Sequence, residues 1–309
     1  MGLALLLAAG ALIALATLVA WTASRLARPP RRTFGSAVAA GRPREPADLL
    51  HSDGSRREFA TWTLETAGLR LPVWDFPGNN VAGPVLVLTH GWGDSRIGAL
   101  TRADALLPHV CRVVAWDMPG HGDAPGSSTL GWREPAMLRE LAGRIGGTTP
   151  VILMGWSLGA GVSIAAAADN PPPGVAGVIA EAPYRLPITP ASAVMAHFGM
   201  PRRVNLPLAL GLVGLRVGAG WGWRNFDRAA LAARARVPLL VVHGGRDGIC
   251  PVADGREIAR RAPNARLVTI TDAGHHGLWS QEPFRGAAIA AVAEWLATLQ
   301  PAPLTLAAT

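Results

Sequence analysis

The fold is decided at residues 151–168, Val151-Ile152-Leu153-Met154-Gly155-Trp156-Ser157-Leu158-Gly159-Ala160-Gly161-Val162-Ser163-Ile164-Ala165-Ala166-Ala167-Ala168. The opening residues are a short apolar run of the strand type, and the alanine-rich end has the composition of a helix. Between them lies G-x-S-x-G. A strand that reverses into a helix through so tight a turn leaves no room for side chains two positions either side of the serine, hence Gly155 and Gly159. Such a turn lifts the Ser157 hydroxyl off the strand end and sets the first N–H groups of the next helix beside it. With 36 glycines in the chain the pentapeptide alone could arise by chance; strand, turn and helix in the required order make Ser157 a candidate nucleophile.

Working outward, apolar runs of the buried-strand type recur at 85–89, 112–116, 175–179, 239–243 and 265–270. Helical patterns at 97–107, 134–145, 158–168 and 252–261 separate most of them, and 287–299 closes the series. Alternating segments at 57–65 and 69–75, joined by Thr66-Ala67-Gly68, predict an antiparallel hairpin ahead of the rest. Strands alternating with helices predict an α/β fold with a mostly parallel, doubly wound sheet. In such sheets reacting groups collect in the loops beyond the carboxyl ends of the strands.

Those loops carry three more motifs: Thr89-His90-Gly91-Trp92-Gly93, Asp117-Met118-Pro119-Gly120-His121-Gly122, and the pair His243-Gly244-Gly245-Arg246-Asp247 with Asp272-Ala273-Gly274-His275. With the pentapeptide they make residues 57–299 resemble the α/β-hydrolase superfamily, in its esterase, lipase and serine aminopeptidase-like branch. The resemblance implies an α/β-hydrolase fold with a helical cap and a Ser-Asp-His order of Ser157, Asp247 and His275. By the same resemblance the backbone N–H groups of Trp92 and Leu158 would take the oxyanion positions, and Gly155 and Gly159 would flank the elbow. Ser157 needs an adjacent base; His275 would take and return its proton, and Asp247 would hold the imidazole tautomer. His276 is the rival base, though His275 directly follows Gly274 as in the family pattern. Glu181, after another predicted strand, is the rival acid; Asp272 is read as a loop cap. His90 and His121 are read as structural and Cys250 as filler. Serine at the elbow, where dehalogenases and epoxide hydrolases of this fold carry aspartate, implies acyl transfer on a small-molecule substrate. Carboxylic esters lead, with lipid-like acyl esters among them; thioesters, peptides, perhydrolysis or a catalytically silent binding role are the alternatives.

No cofactor and no metal are expected: Asp94 and Asp123 belong to no ligand cluster, and the two cysteines, Cys111 and Cys250, have no metal spacing. The chain contains no lysine; its 29 basic residues are all arginine and give a net charge of +8. No basic run interleaved with aromatics appears, so nucleic acid is not an expected partner.

Residues 1–24 contain no charged side chain, enough helix to cross a hydrocarbon core of roughly 30 Å. Trp21 sits near the end, and Arg25, Arg28, Arg31 and Arg32 follow. Positive charge after rather than before the apolar run favours an uncleaved anchor with the main domain on the cytoplasmic side; a signal peptide, with the protein secreted or periplasmic, is the rival. The organisation expected is a transmembrane helix at 1–24, a basic Pro/Arg-rich linker at 25–56, a hydrolase core at 57–183 and 229–300, a cap at 184–228 and a flexible tail at 301–309. The cap carries Arg185, Arg202, Arg203, Arg216, Arg224 and Arg228 against the single acid Asp227, and an apolar stretch at 206–213 that Pro207 and Gly211 are expected to break. Such a cap reads as a helical lid packed on the core or as a face for an anionic membrane surface.

Overall fold

A computed structural model of the protein describes residues 2–39 and 41–299; the expected tail at 301–309 lies outside them. One eight-stranded sheet organises the chain, in the order β1-β2-β4-β3-β5-β6-β7-β8. β1 (Ala60–Thr66), β2 (Leu69–Pro77) and β4 (Arg112–Trp116) pair antiparallel in that sequence. β3 (Val85–Thr89), β5 (Val151–Trp156), β6 (Val175–Glu181), β7 (Leu239–Gly244) and β8 (Ala265–Ile270) continue it in parallel with β4. This is the α/β-hydrolase fold that the motifs imply. Every residue of β3, β5 and β7 is buried, as strands covered on both faces must be.

The pleat sends alternate side chains to two cores. Val85 and Val87 join one with α4 (Glu134–Ile145), α5 (Leu158–Ala167) and α9 (Val252–Arg261). Leu86 and Leu88 join the other with α3 (Arg96–Leu106) and α10 (Phe284–Leu299). The first strand starts three residues later than its alternation predicts. Arg57 is instead buried, donating to Leu49 O at 3.2 Å, Pro77 O at 2.8 Å and Asn79 Oδ1 at 3.0 Å. A guanidinium closing three acceptors replaces a strand residue there.

Between β6 and β7 stand α6 (Ile188–His197), α7 (Asn205–Val217) and α8 (Arg228–Ala232). The expected break in the middle of α7 does not occur. Pro207 falls in the first turn, where its missing N–H has no intrahelical acceptor to lose. Gly211 is the seat of Trp221, whose ring lies 2.6 Å from where a Cβ would stand.

α1 (Gly2–Ala27) is long and apolar enough to cross a membrane, about 39 Å at the usual rise. Its leading part is exposed, with Leu3, Leu5, Leu6, Leu7, Leu12 and Ile13 bare. Its C-terminal part packs on α7, burying Val19 and Thr22, and Asn205 Nδ2 donates to Thr22 Oγ1 at 2.9 Å. The basic stretch that follows is laid along the domain, with Ala27, Ala37, Ala47 and Leu49 buried.

Candidate active site

Ser157 sits between β5 and α5 at φ 53°, ψ −112°, a conformation that L side chains rarely adopt. Its N–H donates to Glu181 O at 2.9 Å, tying the turn to β6. The flanking glycines are required by contact: a Cβ on Gly155 would stand 2.2 Å from the Gly159 carbonyl, and one on Gly159 2.0 Å from Thr89 O. Both obstacles are backbone and cannot rotate away. Gly159→Ala is therefore expected to cost about 3 kcal/mol of stability, read as a lowered thermal transition of the detergent-solubilised chain. A transition at the wild-type temperature would contradict this account of the turn.

The loops after β7 and β8 bring Asp247 and His275 together, with His275 Nδ1 2.7 Å from Asp247 Oδ2. The other carboxylate oxygen, Oδ1, accepts from Ile249 N and Cys250 N, each at 2.8 Å. Burial would raise the Asp247 carboxyl, but hydrogen bonds from His243 and His275 outweigh it and hold it well below the usual carboxylate range. An ionised carboxylate can only accept, so His275 Nδ1 donates to it, and in the neutral ring Nε2 then carries the lone pair. His276 meets His275 edge-on at 5.0 Å, and burial lowers it from its ordinary value.

The hydroxyl of Ser157 meets Cys250 Sγ at 3.8 Å, and Cys250 in turn lies beside the Asp247–His275 pair. Burial, reinforced by the Asp247 charge, raises this thiol well above its ordinary value. It stays protonated and is no competing nucleophile. Asp247, Cys250 and His275 also bring one ligand atom each within 4.8 Å of one another. A metal there would need a thiolate that this environment opposes, and a carboxylate already committed to two N–H groups and an imidazole.

Leu158 is the first residue of α5, where a backbone N–H has no intrahelical acceptor. Trp92 lies in the loop after β3, which His90 braces from below: His90 Nδ1 donates to Gly91 O at 2.8 Å and Nε2 accepts from Met118 N at 2.9 Å. Burial lowers His90 to about 4 and the neighbouring His121 to about 3, so both are neutral rings, tilted against each other with centroids 4.8 Å apart. Asp117 accepts from Arg96 N and Asp123 N and pairs with the Arg96 guanidinium.

Glu181, the rival acid, is held elsewhere. Arg102 grips it with Nε and a terminal nitrogen, each at 2.6 Å, and Trp279 Nε1 donates to it at 2.8 Å. Asp272 pairs at the surface with Arg246 at 2.8 Å. Sequence reasoning missed the clamp on Glu181 and the place of Cys250, partners 79, 98 and 93 residues away from the groups they touch. No local signal announces them.

Residues 86–294 match the alpha/beta hydrolase family. A pimeloyl-[acyl-carrier protein] methyl ester esterase of Xanthomonas campestris pv. campestris is 30% identical over 230 residues, covering 62% of this chain and 88% of that protein. Among solved structures, an esterase of Pyrococcus furiosus superposes with a TM-score of 0.66 at 21% identity, over 88% of this chain and 98% of its own. A protein described as a membrane phospholipase A superposes with a TM-score of 0.61 at 17% identity, over 98% of this chain and 100% of its own. This chain belongs to the alpha/beta hydrolase family and is a hydrolase of that fold.

Proposed function

We propose that the chain is a membrane-held hydrolase of carboxylic esters in which Ser157 is the nucleophile, His275 the general base and Asp247 the acid that orients it. The observation that carries this reading is the 2.7 Å bond between Asp247 and His275 beside a serine held at φ 53°. When an ester enters, the Ser157 hydroxyl exchanges its weak thiol contact for His275 Nε2, a hydrogen bond of the kind that tightens on substrate binding. Its proton passes to Nε2 as Oγ bonds to the carbonyl carbon. The carbonyl electrons move to oxygen, and the Trp92 and Leu158 N–H groups donate hydrogen bonds to the oxyanion so formed. Collapse expels the alkoxide, protonated by His275, and leaves an acyl-enzyme. Water then repeats the sequence and releases the acid.

The Xanthomonas relative, by its name, acts on a methyl ester, which favours esters over amides. The cap segment 184–228 favours an acyl group of apolar character: it exposes Phe198, Val204, Leu212, Leu215 and Trp221 in the same stretch of chain as Arg202, Arg203 and Arg216. The test is labelling by a fluorophosphonate probe together with hydrolysis of p-nitrophenyl esters of graded chain length, acyl-CoA and peptide amides. Preference for acyl-CoA or amides would move the reading to a thioesterase or a peptidase, and a chain that neither labels nor turns over any of them would be a silent binding module.

Residues 1–24 serve as the anchor in this reading, with the arginines after them on the cytoplasmic side. Full-length protein is expected to stay in the membrane fraction through an alkaline carbonate wash and to keep its N-terminal residues. A soluble product beginning after Ala16 or Ser24 would establish a cleaved signal instead.

A further inference from the structure

The last turn of α1 does not end in solvent. The terminal carbonyls of a helix lack intrahelical donors, and here two of them are met by loops of the candidate active site. Trp92 Nε1 donates to Leu26 O at 3.0 Å, and Ser128 N donates to Ala27 O at 2.9 Å. The residues that follow continue the contact: Arg31 donates to Gly122 O at 2.9 Å and Arg32 pairs with Asp94 at 3.1 Å. The Pro30 ring lies 3.5 Å from where a Cβ on Gly93 would stand. One strap thus ties the loop at 90–94 to the loop at 117–128, the two that His90 already joins from below.

Trp92 is 36% exposed, so burial alone does not fix its side chain. Its tie is the indole N–H held by a carbonyl of α1. We infer that residues 26–32, where α1 leaves its apolar stretch, are a working part of the active site: Leu26 O and Arg32 are positioning groups that hold the oxyanion loop, and through Trp92 they set the direction of its backbone N–H. The inference rests on the reading of Trp92 as an oxyanion donor. It makes α1 more than a tether, because the seating of the helix is transmitted to the reacting oxygen through Trp92.

The experiment uses the full-length chain in detergent micelles and p-nitrophenyl acetate, a substrate small enough to need neither cap nor membrane. Trp92→Phe keeps an aromatic ring but removes the indole N–H together with one of its two fused rings. It is expected to lower kcat about tenfold with KM within about twofold, a smaller loss than the 10²–10³ of deleting a donor outright. Arg32→Gln cuts a second tie to the same loop at a half-buried pair while keeping a polar side chain of similar reach, and is expected to lower kcat about threefold. The double variant should lose less than the product of the two, because both act through one strap. Wild-type kcat in both single variants, a loss confined to KM, or strictly multiplicative losses would overturn the inference. Ser157→Ala on the same substrate separates the failures. If it is inactive while Trp92→Phe and Arg32→Gln turn over normally, only the strap is wrong; if it remains active, the reading of the site falls first.

Discussion

Ser157→Ala is expected to reduce hydrolysis of p-nitrophenyl esters by at least about 10⁴-fold and to abolish fluorophosphonate labelling while leaving the thermal transition near that of the wild type. The structural part follows from the geometry. The hydroxyl makes one weak contact, to a thiol 3.8 Å away, so its removal orphans no strong donor or acceptor. The strained backbone is held by what surrounds it: Ser157 N bonds Glu181 O, and Gly155 and Gly159 approach neighbouring backbone too closely for any Cβ. Alanine at φ 53° is no worse placed than serine. The chemical part follows from the absence of a substitute. Cys250 Sγ is the nucleophilic atom in contact with the hydroxyl, and burial beside Asp247 keeps it a thiol. What remains after the substitution is substrate binding and the oxyanion donors, which alone accelerate acyl transfer modestly. Labelling that persists in the alanine variant would transfer the nucleophile to another residue.

The parts of this site legible in the sequence are those encoded locally. A glycine two positions either side of a serine, after an apolar run and before an alanine-rich one, specifies a tight strand-to-helix turn because no other residue fits. β3, β5 and β7 are legible because burial on both faces leaves no polar position. What was not legible depends on contacts between distant segments. An apolar side chain reads the same whether it faces hydrocarbon or protein, so nothing distinguishes Val19, buried on α7, from Leu12, which is bare. The hydrogen bond between Thr22 and Asn205 joins residues 183 positions apart. Main-chain acceptors leave no trace in composition at all, and this hid the hold of Leu26 on Trp92. The continuity of α7 is hidden for a related reason. Proline and glycine break helices by position and not by presence, and a proline in the first turn breaks nothing.

Asp247→Asn is expected to lower kcat about 10³–10⁴-fold, whereas Glu181→Gln lowers stability and leaves kcat within a few-fold, as a comparison of kcat/KM and thermal transition for the two variants will test. Asparagine at 247 can still accept from Ile249 N and Cys250 N through its oxygen, so the acid loop keeps its shape. Its amide nitrogen then faces His275 Nδ1. That nitrogen donates, so the imidazole must turn its lone pair toward it and carry its proton on Nε2. In that tautomer His275 cannot accept from Ser157, and the imidazolium formed during reaction loses its counter-charge as well. At 181 the chemistry is different. The carboxylate is gripped by Arg102 and Trp279, and the Arg102 guanidinium also lies 3.8 Å from the Trp156 ring. Neutralising one partner leaves the other a largely buried cation without its counter-charge, a loss of about 3 kcal/mol. Trp279 can still donate to the glutamine carbonyl, so β6 stays in place under Ser157. The two variants therefore separate along different axes, one in rate and one in stability. An equal fall in kcat for Glu181→Gln, with Asp247→Asn still active, would make Glu181 the acid and Asp247 a loop cap.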